Sequence, residues 1–199
     1  WALSFYSTAF NILFLPIVLL VQIPSLPPIH LLPYFVMIGI LEIAYLYPYY
    51  KALEQDDTSI IAALFSLGKI FVPVLAFFLV GERLQFSQQI GFLIIILSSA
   101  ALTFNHKKKL KLNRAFFYMA GCSFLLALEL VIYKYLFATV TWSTGFVWTT
   151  ALSALFGLVF LISPKTRHDV RAQFSTFLTS SPLFLLQELF SFGGTAIAT

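Results

Sequence analysis

The chain is dominated by long apolar runs, and these leave few choices of fold. Seven stand out: residues 3–22, 31–53, 58–80, 87–104, 115–138, 142–163 and Pro182–Thr199. About 20 apolar residues are what an α-helix needs to cross the hydrocarbon core of a bilayer. The runs are apolar on every face, whereas strands of a transmembrane barrel alternate apolar and polar positions. In lipid each backbone N–H and C=O must be satisfied within its own segment, and a helix achieves this. The expected fold class is therefore all-α: a polytopic helical membrane protein with about seven transmembrane helices. Charge content supports this, since 12 Lys and Arg plus 8 Asp and Glu make only 20 charged side chains among 199 residues. That is too few to solvate the surface of a water-soluble domain of this length. A soluble globular enzyme, a disordered chain and a disulfide scaffold are excluded. Cys122 is the single cysteine, so no intrachain disulfide can form.

The links between runs carry the charge. IPSLPPIH, with Pro24, Pro27 and Pro28, follows the first run and cannot be helical. Basic residues gather in alternate links: Lys51; then Lys107, Lys108, Lys109, Lys111 and Arg114; then Lys165, Arg167 and Arg171. The opposite side has Arg83 alone. Nine against one predicts that the basic links are cytoplasmic. The formal net charge of +4 then points to anionic lipid headgroups. Nucleic acid is not an expected partner, because KKKLKL has no interleaved aromatics. The chain starts at Trp1 and stops inside an apolar run at Thr199, so it reads as a fragment.

Five charged residues lie within the runs: Glu42, Lys69, Glu129, Lys134 and Glu188. Each costs about 2.5–3.5 kcal/mol near a helix centre on insertion scales, which makes them candidates for function. Glu42 shares a helical face with Tyr45 and Tyr49, and Pro48 bends that helix by freeing the Ala44 carbonyl. Lys69 shares a face with Ser66 and Pro73, and Pro73 frees the Lys69 carbonyl. It reads as an anion-binding or coupling cation, or as a structural partner of Glu42. Glu129 shares a face with Cys122, read as a packing residue, and with Tyr133. Glu188 shares one with Ser191 and Thr195. Lys134 is near its helix end and can snorkel to the interface. The candidate substrate- and proton-binding residues are thus Glu42, Tyr45, Tyr49, Ser66, Lys69, Glu129, Tyr133, Glu188 and Ser191.

LEIAYLYPYYKAL laid over QELFSFGGTAIAT places Glu42 on Glu188 and Ala52 on Ala198. Paired acids at the interface of an internal duplication are a transporter design. Other chemistries lack their residues. There is no GxxxxGK[ST], no HExxH and no Cys/His cluster, and His30, His106 and His168 all lie in links. No cofactor, metal or catalytic residue is expected.

The stretch YYKALEQDDTSIIAALFSLGKIFVPVLAFFLVGERLQFSQQIGFLIIILSSAAL resembles the EamA domain of the drug/metabolite transporter superfamily. The resemblance is carried by Tyr50-Lys51-Ala52-Leu53, a Ser/Thr-led helix with Pro73 inside it, Gly81-Glu82-Arg83, and Gln89-Ile90-Gly91 opening the next helix. It covers 31–104 well and 115–199 more loosely. It implies two inverted five-helix repeats, ten helices in all, moving small metabolites by alternating access. The chain would then hold a first repeat lacking its first helix (1–104), a basic linker (105–114), and a second repeat lacking its last two helices (115–199). The Gly81-Glu82-Arg83 turn would be structural, with Glu82 and Arg83 at the interface. The family's topology would place the linker outside, opposite to the charge count.

The expected function is therefore a secondary-active transporter or exporter of small metabolites in the plasma or inner membrane, proton-coupled through its embedded glutamates. The lipid bilayer and a second copy in a homodimer are the expected partners. A membrane-embedded enzyme acting on a lipid or lipid-linked sugar, and a structural membrane protein, are the alternatives. The enzyme would need catalytic groups converging at headgroup depth; the structural protein would have no cavity near its acids.

Overall fold

The computed structural model describes residues 5–6, 11–83, 85–105, 114–174 and 182. Among the described residues regular structure is entirely helical. The α-helices are α1 (Leu15–Val21), α2 (Leu32–Ala44), α3 (Leu46–Leu53), α4 (Thr58–Leu64), α5 (Gly68–Val80), α6 (Phe86–Asn105), α7 (Arg114–Thr139) and α8 (Trp142–Gly157), with backbone helical again over 164–174. Short 3-10 turns precede α1, α2 and α5 and follow α8. Three continuous stretches are long and apolar enough to span a bilayer: Ile29–Leu53, Arg114–Thr139 and Trp142–Ile162. The run at 58–80 is helical throughout but changes from α to 3-10 over Phe65–Leu67 and back. The seventh run, with Glu188 and Ser191, lies outside the described residues apart from Pro182.

The chain forms two compact units. One combines Trp1–Ile40 with Leu136–Thr199. Its apolar centre includes Val18, Leu31, Phe35 and Ile38, none of which reaches solvent. Helix α8 turns its small and hydroxylated residues inward: Ser143, Thr144, Gly145, Thr149, Thr150, Ser153 and Gly157 are buried, while Leu155 is exposed. Small residues let helix backbones approach closely, and lipid accepts the larger apolar side chains outside. The approach is tightest at Gly39, where a Cβ would stand 2.6 Å from Phe156 Cδ2 and 3.3 Å from the Leu152 backbone carbon. Inward hydroxyls need acceptors. Thr149 Oγ1 donates to the Gly145 carbonyl at 2.8 Å, within its own helix. Thr144 Oγ1 accepts from the Ser25 N–H at 2.9 Å and so fixes the proline-rich link between α1 and α2. Tyr6 donates to the Val170 carbonyl.

The second unit is Leu41–Tyr135. Its apolar cluster consists of Ala52, Ile61, Leu64, Ala115, Met119 and Cys122, with Tyr49, Leu53 and Leu126 among the residues packed around it. Cys122 is fully buried there as a packing residue. Phe71 of α5 meets Phe124 of α7 edge to face, with centroids 5.7 Å apart. Pro48 acts as its chemistry requires, because the helical run from Leu32 to Leu53 is interrupted by a turn at Tyr45, one residue after the carbonyl it leaves unbonded. Pro73 has less effect than its position suggests. It sits inside an unbroken α5, and the irregular segment is about two turns earlier, at Phe65–Leu67.

Gly81 ends α5 in the left-handed conformation, φ 71°. Its N–H reaches the Phe77 carbonyl at 3.1 Å, and the Glu82 N–H reaches the Ala76 carbonyl at 3.2 Å. Only glycine adopts this φ without strain, and the bonds satisfy carbonyls left over at the helix end. The reversal leads into α6, whose start is capped by Gln88 Oε1 accepting from the Gln85 N–H at 2.8 Å.

Candidate functional site

Three helical segments of the second unit line an open cavity of about 320 Å³. Glu42 and Tyr45 come from the end of α2 and the turn after it. Phe65, Gly68, Lys69 and Val72 come from the 3-10 segment and α5. Ser123, Leu126, Ala127, Glu129, Leu130 and Tyr133 come from α7. The spacing on α7 explains its contribution, since 123, 126, 127, 130 and 133 recur on one face of a 3.6-residue helix and Glu129 sits at its edge, i+3 from Leu126 and i−4 from Tyr133. Gly68 sits where α5 passes α7, and a Cβ there would stand at ordinary contact distance, 3.6 Å, from the Ser123 carbonyl oxygen.

The polar groups differ in their state. Glu129 is 7% exposed, and its Oε2 has no hydrogen-bond partner among the described residues. Burying a carboxylate oxygen without a partner is expensive, so such a group marks a place where a proton or a ligand completes the site. Lys69 is an exposed residue that lines the same cavity as the two glutamates and makes no salt bridge with either. The structural Glu42–Lys69 pair allowed by the sequence is thus absent from this arrangement. Ser123 is fully buried and donates a long hydrogen bond, 3.4 Å, to the Leu64 carbonyl. Lys134, one residue past Tyr133, turns away to Glu82, with Nζ 2.7 Å from each carboxylate oxygen.

Five of the nine residues singled out from sequence therefore line one cavity: Glu42, Tyr45, Lys69, Glu129 and Tyr133. Tyr49 does not. The turn at Tyr45 takes it off the face of Glu42 and into the apolar cluster, where its ring lies 5.3 Å from that of Phe65. The Ser66 side chain, Glu188 and Ser191 lie outside what the structure describes.

Comparison with known proteins gives the same direction. The model of the EamA-like transporter family matches residues 1–104, just over half of the chain. The chain belongs to the EamA-like transporter family. No curated protein and no solved structure matches it.

EamA-like proteins are multi-pass membrane transporters, not enzymes. A small-molecule substrate and a surrounding bilayer follow from that membership. The family match includes Glu42, Tyr45 and Lys69, while Glu129 and Tyr133 lie beyond it. Sequence reasoning missed the small residues on the cavity wall, namely Gly68, Ser123 and Ala127. Ser123 and Ala127 are themselves i and i+4 on one face of α7, but small residues in apolar helices are common wherever helices pack.

Proposed function

We propose that this EamA-like protein is a secondary-active transporter that moves a small metabolite by alternating access, with the substrate held in the cavity of Glu42, Tyr45, Glu129 and Tyr133. One observation carries the reading: three ionisable side chains that would be costly in hydrocarbon, Glu42, Lys69 and Glu129, line the same 320 Å³ cavity. A structural membrane protein would have no such space beside its acids. An enzyme acting at the headgroups would need its catalytic groups at the interface rather than at mid-run positions.

The glutamates supply the coupling. Desolvation disfavours a charged carboxylate, so an embedded acid is suited to exchanging a proton during the cycle. We further propose the architecture implied by the family: a first repeat over 1–104, a basic linker over 105–114, and a second repeat from 115, which would bring Glu188 and Ser191 to the site from the other half. Plasma or inner membrane, with a homodimer as the assembly and no nucleic-acid partner, completes the reading.

The test uses the full-length protein. A thermal-shift screen over amino acids, sugars and nucleobases identifies a ligand, and proteoliposome flux of that ligand is then measured with and without a pH gradient. Flux that responds to the gradient in wild type and loses that response in Glu42→Gln or Glu129→Gln is expected. No flux of any ligand that binds, across a membrane holding the intact protein, removes the transport reading.

A further inference from the structure

One carboxylate oxygen on the cavity wall is short of a donor. Glu129 is 7% exposed, and its Oε2 has no hydrogen-bond partner among the described residues. Burying a carboxylate oxygen in that state is costly, so the site favours a ligand that brings a donor. The buried hydroxyl on the same helix, that of Ser123, donates instead to the Leu64 carbonyl. The rest of the wall says what kind of donor fits. Glu42 brings a second carboxyl group to the cavity, close enough to interact electrostatically with Glu129. A ligand anion would therefore meet like charge. The rings of Tyr45, Phe65 and Tyr133 also line the cavity. Aromatic faces attract a cation and pack against an apolar body. Lys69 is the cation among the lining residues, but it is exposed, and solvent screens an exposed charge far more than a buried one.

We propose that the cavity recognises an organic ammonium: a protonated primary amine on a small aromatic body, its N–H donated to Glu129 Oε2 and its body set against the rings of Tyr45, Phe65 and Tyr133. This rests on the reading of the cavity as the substrate site and names the substrate class. Charge and donor are matched together. An N–H from a cation to a carboxylate is a charge-assisted bond, stronger than one from a neutral hydroxyl. It forms at a group largely removed from water, where charge pairing counts for more. An ammonium carries three donors, so Glu42 can share it with Glu129. Size agrees as well. A cavity of about 320 Å³ is at the small end of ligand sites, which suits one ring on a short arm.

The test needs no knowledge of the natural substrate. The probes are 2-phenylethylammonium, its neutral counterpart 2-phenylethanol, its quaternary counterpart trimethyl(2-phenylethyl)ammonium, and the anion 3-phenylpropanoate. Each is titrated at neutral pH and constant ionic strength against the purified full-length protein in detergent, with ligand-induced stabilisation as the readout. The primary ammonium is expected to bind about tenfold more tightly than the alcohol, which lacks the charge, and than the quaternary ion, which lacks the N–H. The anion is expected not to bind. Glu129→Gln and Glu129→Met should abolish the preference for the ammonium over the alcohol, and either variant that melts cooperatively serves. Ammonium binding that is absent, or no tighter than that of any of the other three probes, overturns the proposal on wild-type protein alone. A preference that survives replacement of Glu129 overturns it too. Flux of a different ligand without ammonium binding would leave the transport reading intact. Ammonium binding without flux would remove transport and leave the binding site.

Discussion

Lys134 Nζ lies 2.7 Å from both carboxylate oxygens of Glu82, joining α7 to the turn that ends α5. The same two helices form two walls of the cavity, so the ion pair ties those walls together beyond Tyr133. The two side chains are 66% and 34% exposed. Exposed pairs contribute about 0.2–1 kcal/mol. Lys134→Met is therefore expected to destabilise the protein by less than about 1 kcal/mol. A double-mutant cycle with Glu82→Gln, read by thermal unfolding at low and high salt, checks this. A coupling energy independent of salt would mean the pair is not screened as an exposed contact should be.

Gly39→Ala tests the packing of the first unit. The new Cβ would meet Phe156 at 2.6 Å and the backbone carbon of Leu152 at 3.3 Å, and the latter cannot rotate away. Overpacking of this kind costs about 1–3 kcal/mol. Gly121→Ala is the control, since nothing lies within 4 Å of its Cβ. The expected result is a clear loss of melting temperature for the first and little change for the second. Equal effects would show that α2 and α8 do not approach at Gly39.

Gly81→Ala tests the cap of α5. Nothing crowds a Cβ there, so the penalty is conformational alone, arising from φ 71°. A left-handed alanine costs about 1–2 kcal/mol. Gly81→Asn should cost less, because asparagine tolerates that region better. Unfolding measurements giving alanine and asparagine the same effect would argue against a left-handed cap.

The orientation predicted by the basic links is open to labelling. Cys122 is buried and should stay unreactive toward a membrane-impermeant maleimide in the folded protein. Gln55→Cys and Arg83→Cys fall on exposed turns on opposite sides of the run at 58–80. From the charge count, the Gln55 position should react only from the cytoplasmic side and the Arg83 position only from the other. The reverse pattern would mean that the family's topology, with the 105–114 linker outside, overrides the lysine bias.

The helices were legible because lipid leaves the backbone one solution. Runs 31–53, 58–80, 87–104, 115–138 and 142–163 are each helical to within a residue or two, including the change of path before Pro48. Within the site, Glu42, Lys69 and Glu129 were legible for a related reason, since an ionised side chain in an apolar run needs a polar setting. The exception, Tyr49, shows the limit of periodicity. A 3.6-residue pattern carries a face forward only while the helix is regular, and the turn at Tyr45 breaks it. The 3-10 segment at Phe65–Leu67 had no sequence mark as plain as a proline. The inward hydroxyls of α8 were hidden because a serine or threonine can bond its own helix as readily as a neighbour.

That arrangement of α8 governs how such a chain can be made. With Ser143, Thr144, Thr149 and Ser153 toward the protein and Leu155 outward, the helix is inverted relative to one from a water-soluble domain. Water would draw the wrong side inward, so hydrophobic collapse in the cytosol leads away from the native packing. The span has to enter the bilayer first and find its neighbours afterwards. Insertion thus precedes the packing of α8 against its neighbours.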